Sequence, residues 1–150
     1  MIQASPLMVR PDIEKVVTAF ISKSGSMDRY ASFDYCYNYF RTTKDLVRDI
    51  EKSCLTLGFY LASWGMFRGS SFLLQKSAKH FERTVEYVAN LDRSVWEIDV
   101  DTYTGPNMQT IVSIYGNVKD LLIENANSDL TLVTKVLLGV FGFVPAFDNY

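Results

Sequence analysis

An uncharged apolar run in the middle of the chain, residues 54–67 (CLTLGFYLASWGMF), most constrains what the chain can fold into. Between Lys52 and Arg68 the only ionisable side chains are one thiol and one phenol, although 21% of all residues are charged. We expect such a run to be buried on most sides, because exposing apolar side chains to water is unfavourable. The run therefore predicts a central apolar helix, about residues 44–66, with Arg68 just beyond its end.

The spacing of apolar residues in this segment is helical. One stripe recurs at steps of three and four residues: Leu46, Ile50, Cys54, Leu57, Leu61 and Trp64. A second stripe begins further along: Leu55, Phe59, Ala62 and Met66. A third consists of small residues: Gly58, Ala62, Gly65 and Gly69. Because Gly inside a helix costs about 1 kcal/mol relative to Ala, the third stripe predicts the close approach of another backbone.

The flanking segments also have helical periodicity. Pro11 opens a helix whose apolar face consists of Ile13, Val16, Val17, Phe20 and Ile21. The next helix carries an aromatic stripe, which we expect to lie in the core: Tyr30, Phe33, Tyr37 and Phe40. A helix capped by Ser70 or Ser71 should follow Gly69 and bury Leu74, Ala78, Phe81, Val85 and Val88. In that helix His80 falls on the polar side.

The last third alternates apolar and acidic residues over 95–101, where we expect a loop or a short helix rather than an unpaired strand. Gly105-Pro106 precedes a helix with one apolar side that ends near Asn125. Asp129 should cap a last apolar helix, residues 130–141, which Gly142 ends. The sequence thus predicts an all-α fold, a single-domain bundle of six to seven helices over residues 1–150.

Charge and composition exclude several classes of function. The net charge is −2, and residues 91–150 hold three Lys/Arg against eight Asp/Glu, which disfavours nucleic-acid binding there. The uncharged run is shorter than the ~20 residues that span a bilayer, and the N-terminus lacks a signal-peptide pattern. One histidine and two separated cysteines make a structural zinc site unattainable, and we expect no metal and no cofactor. We expect a soluble, cytoplasmic protein with two buried free thiols.

The best local constellation for ligand binding follows the apolar run. A guanidinium beside a helix N-terminus can hold an anion, so Arg68, Ser70 and Ser71 are the candidate anion-binding residues. Trp64 and Tyr60 would add a stacking wall. In the alternative interpretation, Ser70 only caps the helix and Arg68 pairs with a buried carboxylate or a carbonyl group.

Two segments, residues 57–75 (LGFYLASWGMFRGSSFLLQ) and residues 132–148, resemble an uncharacterised family of bacterial proteins. This resemblance implies no particular activity. The tail Val144-Pro-Ala-Phe-Asp148 is also similar to an element of helix-hairpin-helix DNA glycosylases, in which an Asp assists base excision. That similarity implies a catalytic role for Asp148. The chain departs from those enzymes at residues 128–131, which lack the glycine-containing hairpin, and by one additional residue between Pro145 and Asp148.

Two functions are consistent with these patterns. The first is a non-enzymatic helical interaction or regulatory module that binds a protein partner or itself. It rests on the lack of a catalytic set in the sequence and on surplus aromatic residues that could be exposed: Tyr35, Tyr39, Tyr103 and Phe147. The alternative is a nucleotide- or nucleic-acid-processing protein that uses an anion site at Arg68 and a glycosylase-like element at Asp148.

Overall fold

The structure, a computed structural model, describes residues 10–124 and 130–148. These residues form six α-helices: α1 (Arg10–Lys23), α2 (Ala31–Thr42), α3 (Ile50–Ser63), α4 (Glu82–Ala89), α5 (Gly105–Leu122) and α6 (Leu130–Phe141). Four short 3-10 helices lie between them: Phe72–Gln75, Ala78–Phe81, Arg93–Glu97 and Val100–Thr102. The predicted all-α bundle is confirmed. No helix in the described ranges has the length and apolar character of a membrane span.

The innermost helix of the bundle is α6. Nine of its 12 residues are buried, and it packs against α2, α3 and α5. Its sequence is apolar apart from two threonines and a single charged residue, Lys135. A helix that is apolar on all sides is stable only when other elements surround it. Gly142, with φ +76°, then ends α6 and turns the chain back.

Helix α3 is shorter than predicted and is buried on one side only. Asp49 caps it by accepting a hydrogen bond from the backbone N–H of Lys52 at 3.1 Å. Its first stripe faces α2, α4 and α6. The second stripe does not: Leu55 is 53% and Phe59 71% exposed. The expectation that this segment is buried on most sides is therefore wrong, because its neighbours pack on a single side of the helix.

The last part of the apolar run forms a turn that ends α3, not a continuation of the helix. The backbone N–H of Met66 donates to the carbonyl of Leu61 at 2.9 Å, and that of Gly65 donates to Ala62 at 3.0 Å. This pair of bonds is a Schellman motif, which requires a left-handed residue. Gly65 supplies it with φ +78°. Residues 64–69 are therefore a turn, not the last part of the predicted helix.

The predicted backbone approach along the small-residue stripe is wrong. Gly58 lies against the ring of Phe81, whereas a Cβ at Gly69 would meet nothing within 4 Å. The tightest glycine contact is in α6, at Gly139. A Cβ there would lie closer than 3.0 Å to three ring atoms of Tyr60. The aromatic ring of α3 thus packs directly on the backbone of α6.

The segment after Gly69 also differs from the prediction. The expected single helix is divided into two 3-10 helices and α4, and Leu73 is buried in place of Leu74. The His80 side chain is only 7% exposed, so its predicted surface position is wrong. Its Nε2 lies 3.1 Å from the carbonyl oxygen of Leu122, at the end of α5. The predicted cap at Asp129 lies outside the described residues.

Helix α1 forms as predicted but leaves its apolar face uncovered. All residues from 12 to 23 are exposed. The five apolar side chains of its face are 45–66% exposed: Ile13, Val16, Val17, Phe20 and Ile21. Phe20 meets Tyr30 with ring centroids 6.1 Å apart. Next to this contact, a cavity of about 560 Å³ lies between the end of α1, Trp64 and Leu138.

The two helical glycines Gly139 and Gly116 should respond in opposite ways to substitution by Ala. Gly139→Ala drives a methyl group into the Tyr60 ring, and we expect the free energy of unfolding to fall by about 1–3 kcal/mol. At Gly116 in α5 an added Cβ meets nothing within 4 Å, so Gly116→Ala should raise it by up to about 1 kcal/mol. Urea unfolding measures both. Equal effects at the two sites would contradict the proposed α3–α6 contact.

Alkaline pH should destabilise the fold through its buried thiols. Burial, with smaller contributions from the Glu82 and Glu86 carboxylates, raises the pKa of Cys54 from 9.0 to about 11. Burial also raises the pKa of Cys36. The unfolded chain therefore loses these protons first, and the free energy of unfolding falls as the pH rises through the window from 9 to 11. In urea titrations the Cys36→Ala/Cys54→Ala variant should show a smaller decline; an identical decline would contradict this.

Candidate functional site

The turn after α3 holds the residues predicted to bind an anion. The Arg68 side chain folds over Gly65, where a Cβ would lie 3.1 Å from both Cζ and Nε. Arg68 and Ser70 are exposed. Ser71 is engaged within the chain, because its Oγ donates to the carbonyl of Met66 at 2.6 Å and accepts from the N–H of Leu73 at 3.3 Å. Ser71, not Ser70, is therefore the cap, and it caps a single 3-10 turn.

The predicted stacking wall does not reach the surface as a unit. Tyr60 is 0% exposed, and its hydroxyl donates to the carbonyl of Lys135 at 2.9 Å. Burial raises the pKa of this phenol. Trp64 is half-buried and leans on the Tyr60 ring with centroids 6.0 Å apart. Because Tyr60 is enclosed, it is not available to a surface ligand, and its predicted stacking role is wrong.

Trp64 has one unusual feature. Its indole Nε1 is buried and finds no hydrogen-bond partner among the described residues. The ring meets Tyr30 edge-on, with centroids 5.6 Å apart, and lines the cavity beneath the end of α1. Of the five predicted residues, the structure therefore leaves Arg68 and Ser70 exposed and places Trp64 at a different surface. Anion binding at Arg68 stays a prediction.

Asp148 occupies a site that sequence reasoning missed. Lys135, only 2% exposed, donates from Nζ to Asp148 Oδ2 at 2.9 Å and to the carbonyl of Trp64 at 3.0 Å. Nearby, the backbone N–H of Phe147 donates to Thr134 Oγ1 at 3.0 Å. These bonds hold the tail against α6 and against the end of α3. The available sequence signal was Lys135 itself, the single charge in an otherwise apolar helix.

We call this cluster the lock, because the bonds from Lys135 to Asp148 and to the carbonyl of Trp64 fix the tail against α6 and the end of α3. A buried ammonium group is tolerated when a carboxylate and further acceptors satisfy it, and Lys135 has both. The Asp148 carboxylate is thereby committed to an ion pair in this arrangement. The catalytic role that the glycosylase resemblance implies for Asp148 stays a prediction.

A second polar cluster lies beside the C-terminal end of α5. Lys76 forms an ion pair with Glu124 at 2.5 Å, and His80 Nδ1 lies 3.9 Å from the same carboxylate. The hydrogen bond and charge of Lys76 lower the pKa of Glu124. In the described ranges, no three His, Cys, Asp or Glu side chains gather in a way that could hold a metal ion.

Exposed apolar surface is the remaining feature with functional potential. The face of α1 is one part. A second part lies between α2 and α3, where Tyr35, Leu55 and Phe59 line an open groove above the buried Ser32. Among the aromatic residues predicted to be exposed, Tyr35 and Phe147 are confirmed and Tyr103 is 38% exposed. Tyr39 is half-buried, with its hydroxyl 2.8 Å from Ser53 Oγ.

Comparisons with known proteins identify no matching family model, no similar curated protein and no similar solved structure. The resemblances noted in the sequence therefore stay predictions.

The lock between α6 and the tail can be tested by a double-mutant cycle. Asp148→Asn removes the charge that faces the buried ammonium group of Lys135, and we expect it to lower the free energy of unfolding by about 1–3 kcal/mol. In a Lys135→Met background the same substitution should cost less than about 0.5 kcal/mol, because no buried charge is left behind. Urea unfolding of the four proteins measures the coupling. Equal costs in both backgrounds would rule out the lock.

Proposed function

We propose that this protein is a non-enzymatic helical module that acts by binding a macromolecular partner through the apolar face of α1. The observation that carries the proposal is the exposure of that whole face on a regular amphipathic helix. Large exposed apolar patches on folded proteins mark interaction sites. Other helices also expose apolar side chains, among them Leu55 and Phe59 of α3, but in α1 all five residues of the stripe are exposed.

The physical chemistry of α1 supports the same conclusion. It has 14 residues, a length at which isolated helices are marginally stable in water. Five of them are β-branched, which lowers helix propensity further: Ile13, Val16, Val17, Thr18 and Ile21. Such a helix gains its stability from packing of its apolar face, and fully burying one large apolar side chain contributes about 1.5–3 kcal/mol. A partner that covers the face therefore also stabilises the helix.

The polar groups of the bundle favour binding over catalysis. His80 is held against the carbonyl of Leu122, and Lys135 is paired with Asp148. Cys36 and Cys54 are free but buried thiols, and burial keeps them protonated. These contacts occupy groups that acid–base or nucleophilic chemistry would need. Free buried thiols are also typical of a reducing compartment, which supports the proposed cytoplasmic location.

The alternative, a nucleotide- or nucleic-acid-processing protein, receives less support. It requires Arg68 and Asp148 to act on a phosphate-bearing ligand, and Asp148 is engaged by Lys135. The acidic last third of the chain opposes a phosphate backbone.

A matched pair of variants tests the interaction face. Val17→Asp places a charge in the apolar stripe, whereas Thr18→Asp places the same charge about 100° further round the helix, outside the stripe. We expect the tagged wild-type protein and Thr18→Asp to retain the same stoichiometric partner from an extract of the source cells. Val17→Asp should lose it by tenfold or more, because a buried charge is strongly unfavourable.

Both variants should keep the melting temperature of the bundle within about 2 °C, because α1 residues 12–23 are exposed rather than part of the core. Circular dichroism checks this. Retention of the same partner by Val17→Asp would contradict α1 as the binding face.

A further inference from the structure

Three residues of the apolar face of α1 are placed symmetrically about Val17. Ile13 and Ile21 lie four residues on either side of Val17, with Val16 and Phe20 between them. When two such helices run antiparallel with their Val17 residues opposed, Ile13 of each copy meets Ile21 of the other. Val17 and the two isoleucines of one copy therefore match those of the second copy, whereas Val16 lies level with Thr18 and Phe20 with Glu14.

The charges of α1 favour the same arrangement. At 100° per residue, Asp12 and Lys23 lie along the same flank of the apolar stripe, one near each end of the helix. In an antiparallel pair related by a two-fold axis, equal flanks meet, as in antiparallel coiled coils. Asp12 of each copy then lies beside Lys23 of the other, giving two equivalent ion pairs. A parallel pair brings opposite flanks together, makes neither ion pair and aligns the two helix dipoles unfavourably.

The polar side of α1 argues against a lipid surface as the occupant. Helices that lie on membranes carry mainly Lys and Arg on their polar face. Here the sequence of α1 has two acidic residues, Asp12 and Glu14, beside three basic ones, Arg10, Lys15 and Lys23. A protein surface with charges of both signs is a better match.

We propose that the partner of α1 is a second copy of this chain, bound through antiparallel pairing of the two α1 helices about an axis at Val17. The proposal rests on the function proposed above, because it names the partner of the same face. A specific interface buries about 1,000 Å² or more in total, and two 14-residue helices with five apolar side chains each form a small interface by that measure. The dimer is therefore concentration-dependent.

Sedimentation velocity over a wide range of protein concentration tests the dimer. We expect the wild type and Thr18→Asp to shift from monomer to dimer as concentration rises, and Val17→Asp to stay monomeric at concentrations at which the wild type is dimeric. A wild type that stays monomeric throughout overturns the proposal. A dimer that Val17→Asp retains also overturns it, because the interface then lies elsewhere.

Disulfide cross-linking tests the antiparallel geometry. Ile13→Cys and Ile21→Cys are prepared separately with tags of different length; the natural thiols are buried and should not react. After mild oxidation of the mixed proteins, a non-reducing gel should show mainly the heterodimer that links residue 13 to residue 21. Strong homodimer bands from each variant alone indicate a parallel pair and overturn the proposal.

The outcomes separate this inference from the function on which it rests. If self-association is absent but Val17→Asp still loses a different partner in the extract experiment, the interaction face stands and the second copy is excluded. If Val17→Asp changes neither self-association nor partner retention, both proposals fail.

Discussion

The contact on which the bundle depends is the one between the Tyr60 ring and the backbone of α6 at Gly139. Glycine allows the ring to lie directly on the helix, so that the phenol reaches the carbonyl of Lys135 and donates its hydrogen bond there. The buried hydroxyl is satisfied and α3 is fixed against the most buried helix. With α3 and α6 held together, α2 packs against both of them.

A buried charge adds a second link between α6 and the end of α3. Lys135 draws together the end of α3, through the carbonyl of Trp64, and the tail, through Asp148. An ammonium group inside an apolar bundle is strongly unfavourable unless a carboxylate and other hydrogen-bond acceptors surround it. The tail therefore has a defined position on α6. By contrast, α1 keeps its apolar face in solvent. For this reason we place the function there and not at the lock.

Much of the architecture could be predicted because it depends on local periodicity. The apolar spacing predicted α1, and Gly142 was correctly predicted to end α6. The candidate site was less predictable. The sequence predicted a helix cap at Ser70 or Ser71, and in the structure Ser71 caps only a 3-10 turn. Tyr60 was assigned to a ligand that its burial excludes. The Lys135–Asp148 pair joins residues from a helix and a tail, and no spacing rule relates them.

The all-α class and the position of α1 followed from the amino-acid sequence, because the 3.6-residue period is a property of neighbouring residues. The sequence also determined that α1 has one apolar face. Only the tertiary structure decided which apolar faces are covered. The periodicity shows that an apolar stripe is more stable when another element covers it. It does not show whether that element belongs to this chain. For α6 the chain supplies such elements on nearly every side, for α3 on one side, and for α1 it leaves the stripe exposed.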